Sequence, residues 1–172
     1  MKKLIAALSC ALLMSGCCNE DFIIPSSNTN PIDLRADALD VTDLFDVDPS
    51  CSTPNPIYTS IGATPDGGLG SCWLEQTNSG DVWFKFTAQP PYGYASIWIL
   101  VDGPEGTQQF PQLVLWDTDG VTELACDGYD GEVNDLYIFY GDLVIGEVYY
   151  FSVSVADDAF KGTFTMCVTT SD

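Results

Sequence analysis

The sequence predicts an all-β fold, an antiparallel β-sandwich or jelly roll, in a chain of 172 residues. Three observations carry that prediction. Apolar residues recur with period two in several short runs. Asp-Gly, Gly-Asp and Gly-Pro steps punctuate the runs, as hairpin turns require. No long segment carries the 3.6-residue period of an amphipathic helix, so the layers must be sheets.

The elements follow in order. Lys2 and Lys3 precede an apolar run at 4–14, and Met14-Ser15-Gly16-Cys17 then resembles a lipobox. A charged start, a short apolar stretch and small residues before the cut are the anatomy of a secretory signal. The run is too short for a membrane span, which needs about 20 apolar residues, and Glu20 and Asp21 follow at once. Residues 1–16 are therefore expected to be a lipoprotein signal peptide, with lipidation on Cys17 and a membrane anchor there. Cys18 rather than aspartate stands next, and Glu20 and Asp21 follow. This resembles sorting to the outer membrane and its outer face, so the expected localisation is the cell envelope as a surface-exposed lipoprotein. Residues 17–36 contain Pro25, Ser26, Ser27, Asn28, Asn30 and Pro31 without a period and read as a tether.

The folded domain is expected over 37–172. Residues 38–46 fit a strand or one helical turn. DVWFKFT at 81–87 sets Val82, Phe84 and Phe86 against Trp83, Lys85 and Thr87. ASIWILV at 95–101 aligns Ile97, Ile99 and Val101. LVLW at 113–116 and LYIFY at 136–140 read as short buried strands. VYYFSVSV at 148–155 places Tyr149, Phe151, Val153 and Val155 together, and FTMCV at 164–168 does the same for Phe164, Met166 and Val168.

The cysteines sort by position. Cys10 leaves with the signal, Cys17 takes the lipid, and Cys18 has no evident partner. Cys51, Cys72, Cys126 and Cys167 form an even set suited to an oxidising compartment. Of the three connectivities, Cys51–Cys72 with Cys126–Cys167 is expected. A zinc site is disfavoured, because there is no CxxC spacing and no histidine.

Charge excludes one class of function. Loss of residues 1–16 leaves Arg35, Lys85 and Lys161 as cations among 25 acids. Nucleic-acid binding needs clustered Lys and Arg, so no nucleic-acid partner is expected. The lack of histidine also removes Ser-His and Cys-His nucleophile systems, and the protein is expected not to be an enzyme.

Two groups of residues remain as binding candidates. Asp117, Asp119, Asp127, Asp130 and Glu132 supply dense oxygen on two loops, which suits a hard cation, and calcium is the candidate cofactor. The set does not match an EF-hand, since Thr122 stands where glycine would be needed. Aspartate also favours such turns without metal. Tyr92 and Tyr94 flank Gly93, Trp73 adjoins Cys72, and Tyr129 sits among the loop acids. Exposed rings of this kind contact sugars or proteins, and buried ones only pack.

The ordered series CSTPNPIYTSIGAT (51–64), DVWFKFTA (81–88), PQLVLWD (111–117), LACDGYD (124–130), IGEVYYFSVSV (145–155) and GTFTMCV (162–168) resembles bacterial pre-peptidase C-terminal (PPC) domains. The resemblance covers roughly residues 37–170. It implies a calcium-tolerant β-sandwich that binds or targets rather than catalyses, with a CUB-like jelly roll as the neighbouring alternative. The function expected is a surface lipoprotein presenting a binding or adhesion module to a protein or glycan. The alternative is a structural subunit of an envelope secretion or surface-motility complex.

Overall fold

The computed structural model describes residues 31–45, 56–73, 76–91, 93–101, 106–128 and 135–170. Nine strands are found there: β1 (Leu39–Asp40), β2 (Ile57–Thr59), β3 (Gly80–Thr87), β4 (Ala95–Leu100), β5 (Pro111–Trp116), β6 (Glu123–Gly128), β7 (Leu136–Tyr140), β8 (Val148–Val155) and β9 (Thr163–Thr169). They form a five-stranded sheet in the order β1-β3-β8-β5-β6 and a four-stranded sheet in the order β2-β9-β4-β7. Every pairing is antiparallel except β1 with β3. This is the β-sandwich that the period-two runs predict.

Alternation decides which side chains fill the core. Val82, Phe84 and Phe86 of β3 meet Phe151 and Val153 of β8 and Leu113 and Leu115 of β5. The other sheet answers with Ile97 and Ile99, Ile138, and Phe164, Met166 and Val168. Phe84 lies opposite Phe151 in register, with the rings stacked at 5.0 Å. Across the gap Phe84 meets Phe164 edge-on at 6.2 Å. Offset and edge-to-face geometries of this kind add to plain area burial.

Within the run 38–46, the described residues take both forms left open by the sequence. Leu39 and Asp40 pair with β3, and Thr42–Leu44 then make a 3₁₀ turn. The Asp40 carboxylate accepts from the Thr42 hydroxyl at 2.6 Å and its backbone N–H at 3.0 Å. Those bonds hold the Asp40 carboxyl below its ordinary value and stop the strand after two residues.

The five-stranded sheet buries both of its faces. Trp83 and Trp116, together with Val114, point away from the main core and join Trp73 and Ala38 in a second cluster. Ser152 and Ser154, on the same face of β8, are buried too. Alternation in sequence marks two faces but does not say which is covered, and here both are. The cover has two parts, residues 32–38 and a lid at 64–73.

The lid lies flat because it is rich in glycine. A Cβ on Gly67 would come within 2.6 Å of Trp83, one on Gly68 within 3.2 Å of Trp116, and one on Gly70 within 2.6 Å of Trp73. Side-chain acceptors hold its backbone. Asp33 accepts from the Thr64 N–H and, at 2.8 Å, from the Thr64 hydroxyl. Asp81 accepts from Asp66 N–H at 2.8 Å, and Glu123 from Ser71 N–H at 2.8 Å. Residues 31–36, read in sequence as the end of the tether, are therefore bound to the sandwich. Ile32 accepts from the Trp83 N–H at 2.9 Å, and the Arg35 guanidinium lies 5.9 Å from the centre of a Trp83 ring.

The expected disulfide pairing is corrected. Cys72, at the end of the lid, is bonded to Cys126 of β6, with Cα atoms 6.1 Å apart. Cys126 lies on the lid side of the five-stranded sheet, packed against the tryptophan cluster. Cys167 lies opposite Trp98 on the outer side of the other sheet. Facing sheets stand about 10 Å apart, whereas a disulfide joins Cα atoms within about 7 Å. Cys126 and Cys167 therefore cannot meet through the core. Cys167 is itself disulfide-bonded; Cys51, like Cys17, lies outside the described residues.

Candidate ligand-binding surface

The outer face of the four-stranded sheet carries the most exposed aromatic group among the described strands. In β7, Leu136 and Ile138 point inward, while Tyr137 and Phe139 point out and are 44% and 48% exposed. Register places Tyr137 against Trp98 and Phe139 against Ser96 of β4. Trp98 and Tyr137 stack at 4.5 Å, and Tyr94, just before β4, packs on Phe139 at 5.7 Å. Four rings thus form a strip across β4 and β7.

The LYIFY run does not behave as the fully buried strand the sequence suggested. Its aliphatic residues enter the core and its aromatic residues leave it, because alternate Cβ atoms emerge on opposite faces. Tyr137, Phe139 and Trp98 were missed as surface residues. The available signal was the segregation of aliphatic from aromatic side chains within one period-two run.

The remaining candidates scatter. Tyr94 joins the strip. Trp73 does not: it is only 4% exposed, and its side chain packs with Trp83, Val114 and Trp116. Its indole N–H and that of Trp83 have no partner among the described residues, while Trp116 donates to the Ser152 hydroxyl at 3.0 Å. Tyr92 and Tyr129 lie outside the described residues.

The described acids among the calcium candidates fall at two ends of one hairpin. Asp117 and Asp119 lie in the turn between β5 and β6. Asp127 lies opposite Leu113, four positions from Asp117 and so about 13 Å along the strand. Asp119 accepts from the N–H groups of Val121 and Thr122, each at 2.8 Å, and from the Thr122 hydroxyl at 2.7 Å. These bonds, with a smaller contribution from Arg35, lower its carboxyl to about 2. Asp127 accepts from Gly128 N–H and, across the sandwich edge, from Tyr137 N–H, both at 2.8 Å. Among the described residues no three acids or cysteines are placed to share a metal ion. Asp130 and Glu132 lie outside them.

Asp81 is the most deeply buried acid of the lid region, at 1% exposure. Burial lifts its carboxyl above the ordinary value, partly offset by donation from Asp66 N–H and the Asn78 amide. Its carboxylate accepts from the lid backbone at Asp66 and from the Asn78 amide, a structural use of the group.

No family model matches the chain, and no curated protein matches it. Among solved structures, the chain is similar to the pre-peptidase C-terminal domain of a collagenase from Bacillus anthracis. The identity is 16%, the match covers 66% of this chain and 88% of that one, and the TM-score is 0.40.

Proposed function

We propose that this protein is a non-catalytic binding module, held at the outer membrane or cell surface by lipid on Cys17. Its β-sandwich meets a protein or glycan partner through the strip of Tyr94, Trp98, Tyr137 and Phe139. The observation that carries this reading is the strip itself. One stacked aromatic pair, Trp98 with Tyr137, and one tilted pair, Tyr94 with Phe139, stand on the outer face of the sheet, with Tyr137 and Phe139 about half exposed. Large rings fixed by sheet register offer contact area at little cost in side-chain entropy. The sequence supports the absence of catalysis, since it has no histidine. The lipobox-like Met14-Ser15-Gly16-Cys17 supports the anchor.

Three measurements test the proposal. In cells the native protein should partition into a detergent phase, and Cys17→Ser should move it to the aqueous phase. Shaving intact cells with protease should remove the domain, and full protection would place it on an inner face. The double variant Tyr137→Ala with Phe139→Ala should fold as the parent does and lose binding. Unchanged binding would remove the strip from the proposal.

A further inference from the structure

We infer that the strip docks a protein whose contact patch is apolar at its centre and rimmed by lysine or arginine, an inference that rests on the strip being the binding surface. The first argument is charge. Beyond Lys3 the chain has only Arg35, Lys85 and Lys161 as cations, and none of them lies on β4 or β7. Arg35 donates to the Gly120 carbonyl at 2.7 Å beside Trp83. Lys85 is on β3. Lys161 donates to the carbonyls of Ala63 and Ser79 and pairs with Asp158. The strip is bordered instead by acids. Asp127 is bonded to Tyr137 N–H, Asp135 immediately precedes β7, and exposed Asp142 follows it by two residues. An apolar centre with a rim of one sign calls for a rim of the opposite sign.

The second argument separates protein from glycan. A pyranose needs a free ring face to stack on and polar groups for its hydroxyls. Here Trp98 and Tyr137 turn their faces toward each other, 27° from parallel, and Phe139 is packed by Tyr94. The nearby carboxylates are engaged as well. Both Asp127 oxygens accept backbone N–H groups, and Asp135 accepts from Val101 N–H at 2.8 Å. What remains is ring surface, edged by the Tyr94 and Tyr137 hydroxyls, in an acidic field, which suits apolar side chains between cationic ones.

The test uses the full chain and three probes. One is a synthetic peptide of alternating leucine and phenylalanine with two lysines at each end. Its twin carries glutamates instead, and cellohexaose represents a glycan. Binding is followed by amide chemical shifts at low and at high salt. The lysine peptide should bind and shift the β4 and β7 amides. It should weaken about tenfold or more at high salt, because rim charges are screened within a Debye length of about 10 Å at 0.1 M. The glutamate twin should not bind. Tyr137→Ala with Phe139→Ala should abolish the shifts, and Asp142→Asn, which keeps a residue suited to that backbone, should reduce the salt response. Lysine-peptide binding that ignores the strip variants would mean diffuse attraction to an acidic surface and overturn the inference. Strip-dependent cellohexaose binding without peptide binding would overturn the partner class and leave the strip as the binding surface. Failure of all three probes would overturn both.

Discussion

Burial raises the Asp81 carboxyl above its ordinary 3.8, whereas bonds from Thr122 and Val121 hold Asp119 at about 2. The two acids therefore bias stability in opposite directions. The stability that Asp119 contributes is present above its unfolded value and is lost as pH falls toward 2. Asp119→Asn should flatten that acid limb, read as a smaller drop in melting temperature between pH 4 and pH 2. Asp81 binds its proton more tightly in the folded state, so its contribution falls as pH rises through the folded value. Asp81→Asn should accordingly cost less stability at pH 7 than at pH 3.5, by parallel denaturant titrations. At Gly70 a methyl group would meet Trp73 at 2.6 Å and Val114 at 2.9 Å. Gly70→Ala should lower unfolding free energy by about 1–3 kcal/mol through overpacking.

At the scale of elements, the long strands were legible and the lid was not. The runs at 81–87, 95–101, 113–116, 148–155 and 164–168 all became strands, because short apolar runs bounded by turn residues are legible locally. β1 and β2 are two and three residues long, too short to show a period. Gly67 and Gly68 belong to an Asp-Gly step of the kind that marks a turn, yet they answer to Trp83 and Trp116, which are distant in sequence. Cys72 and Cys126 are 54 residues apart, and only the stacking of the lid on the outer sheet face brings them together. Removing that bridge should loosen the lid. Cys72→Ser is expected to cost about 2–4 kcal/mol and to shift tryptophan emission to the red as Trp73 meets water. The strip should respond differently. Tyr137→Ala with Phe139→Ala removes half-exposed cross-strand pairs worth roughly 0.2–1 kcal/mol each, whereas Phe84→Ala in the core should cost about 3–5 kcal/mol. Denaturant titration of the three variants checks that ranking.

For the whole molecule, composition reached the fold class and the charge, and the candidate surface emerged only in three dimensions. Tyr94 was selected in sequence beside Gly93, and it is on the strip. Its partner Phe139 and the second pair, Trp98 with Tyr137, come from strands read for their core faces, since nothing local says which sheet face receives a second layer. That layer, the lid with residues 32–38, covers the five-stranded sheet. Among the described residues, the four-stranded sheet keeps its β4–β7 aromatics open.

The hydrogen bonds at Ile32, Asp33 and Arg35 also have a mechanical meaning. Any tension along the polypeptide arriving at residue 31 reaches the sandwich on the outer face of its five-stranded sheet. There the Ile32 carbonyl on Trp83, the Asp33 carboxylate on Thr64 and the Arg35 guanidinium on Gly120 share the load. The aromatic rings of β4 and β7 stand on the far side of the hydrophobic core from that point. A tug on the leading segment thus enters the sandwich through these bonds and must cross the hydrophobic core before it reaches the rings of β4 and β7.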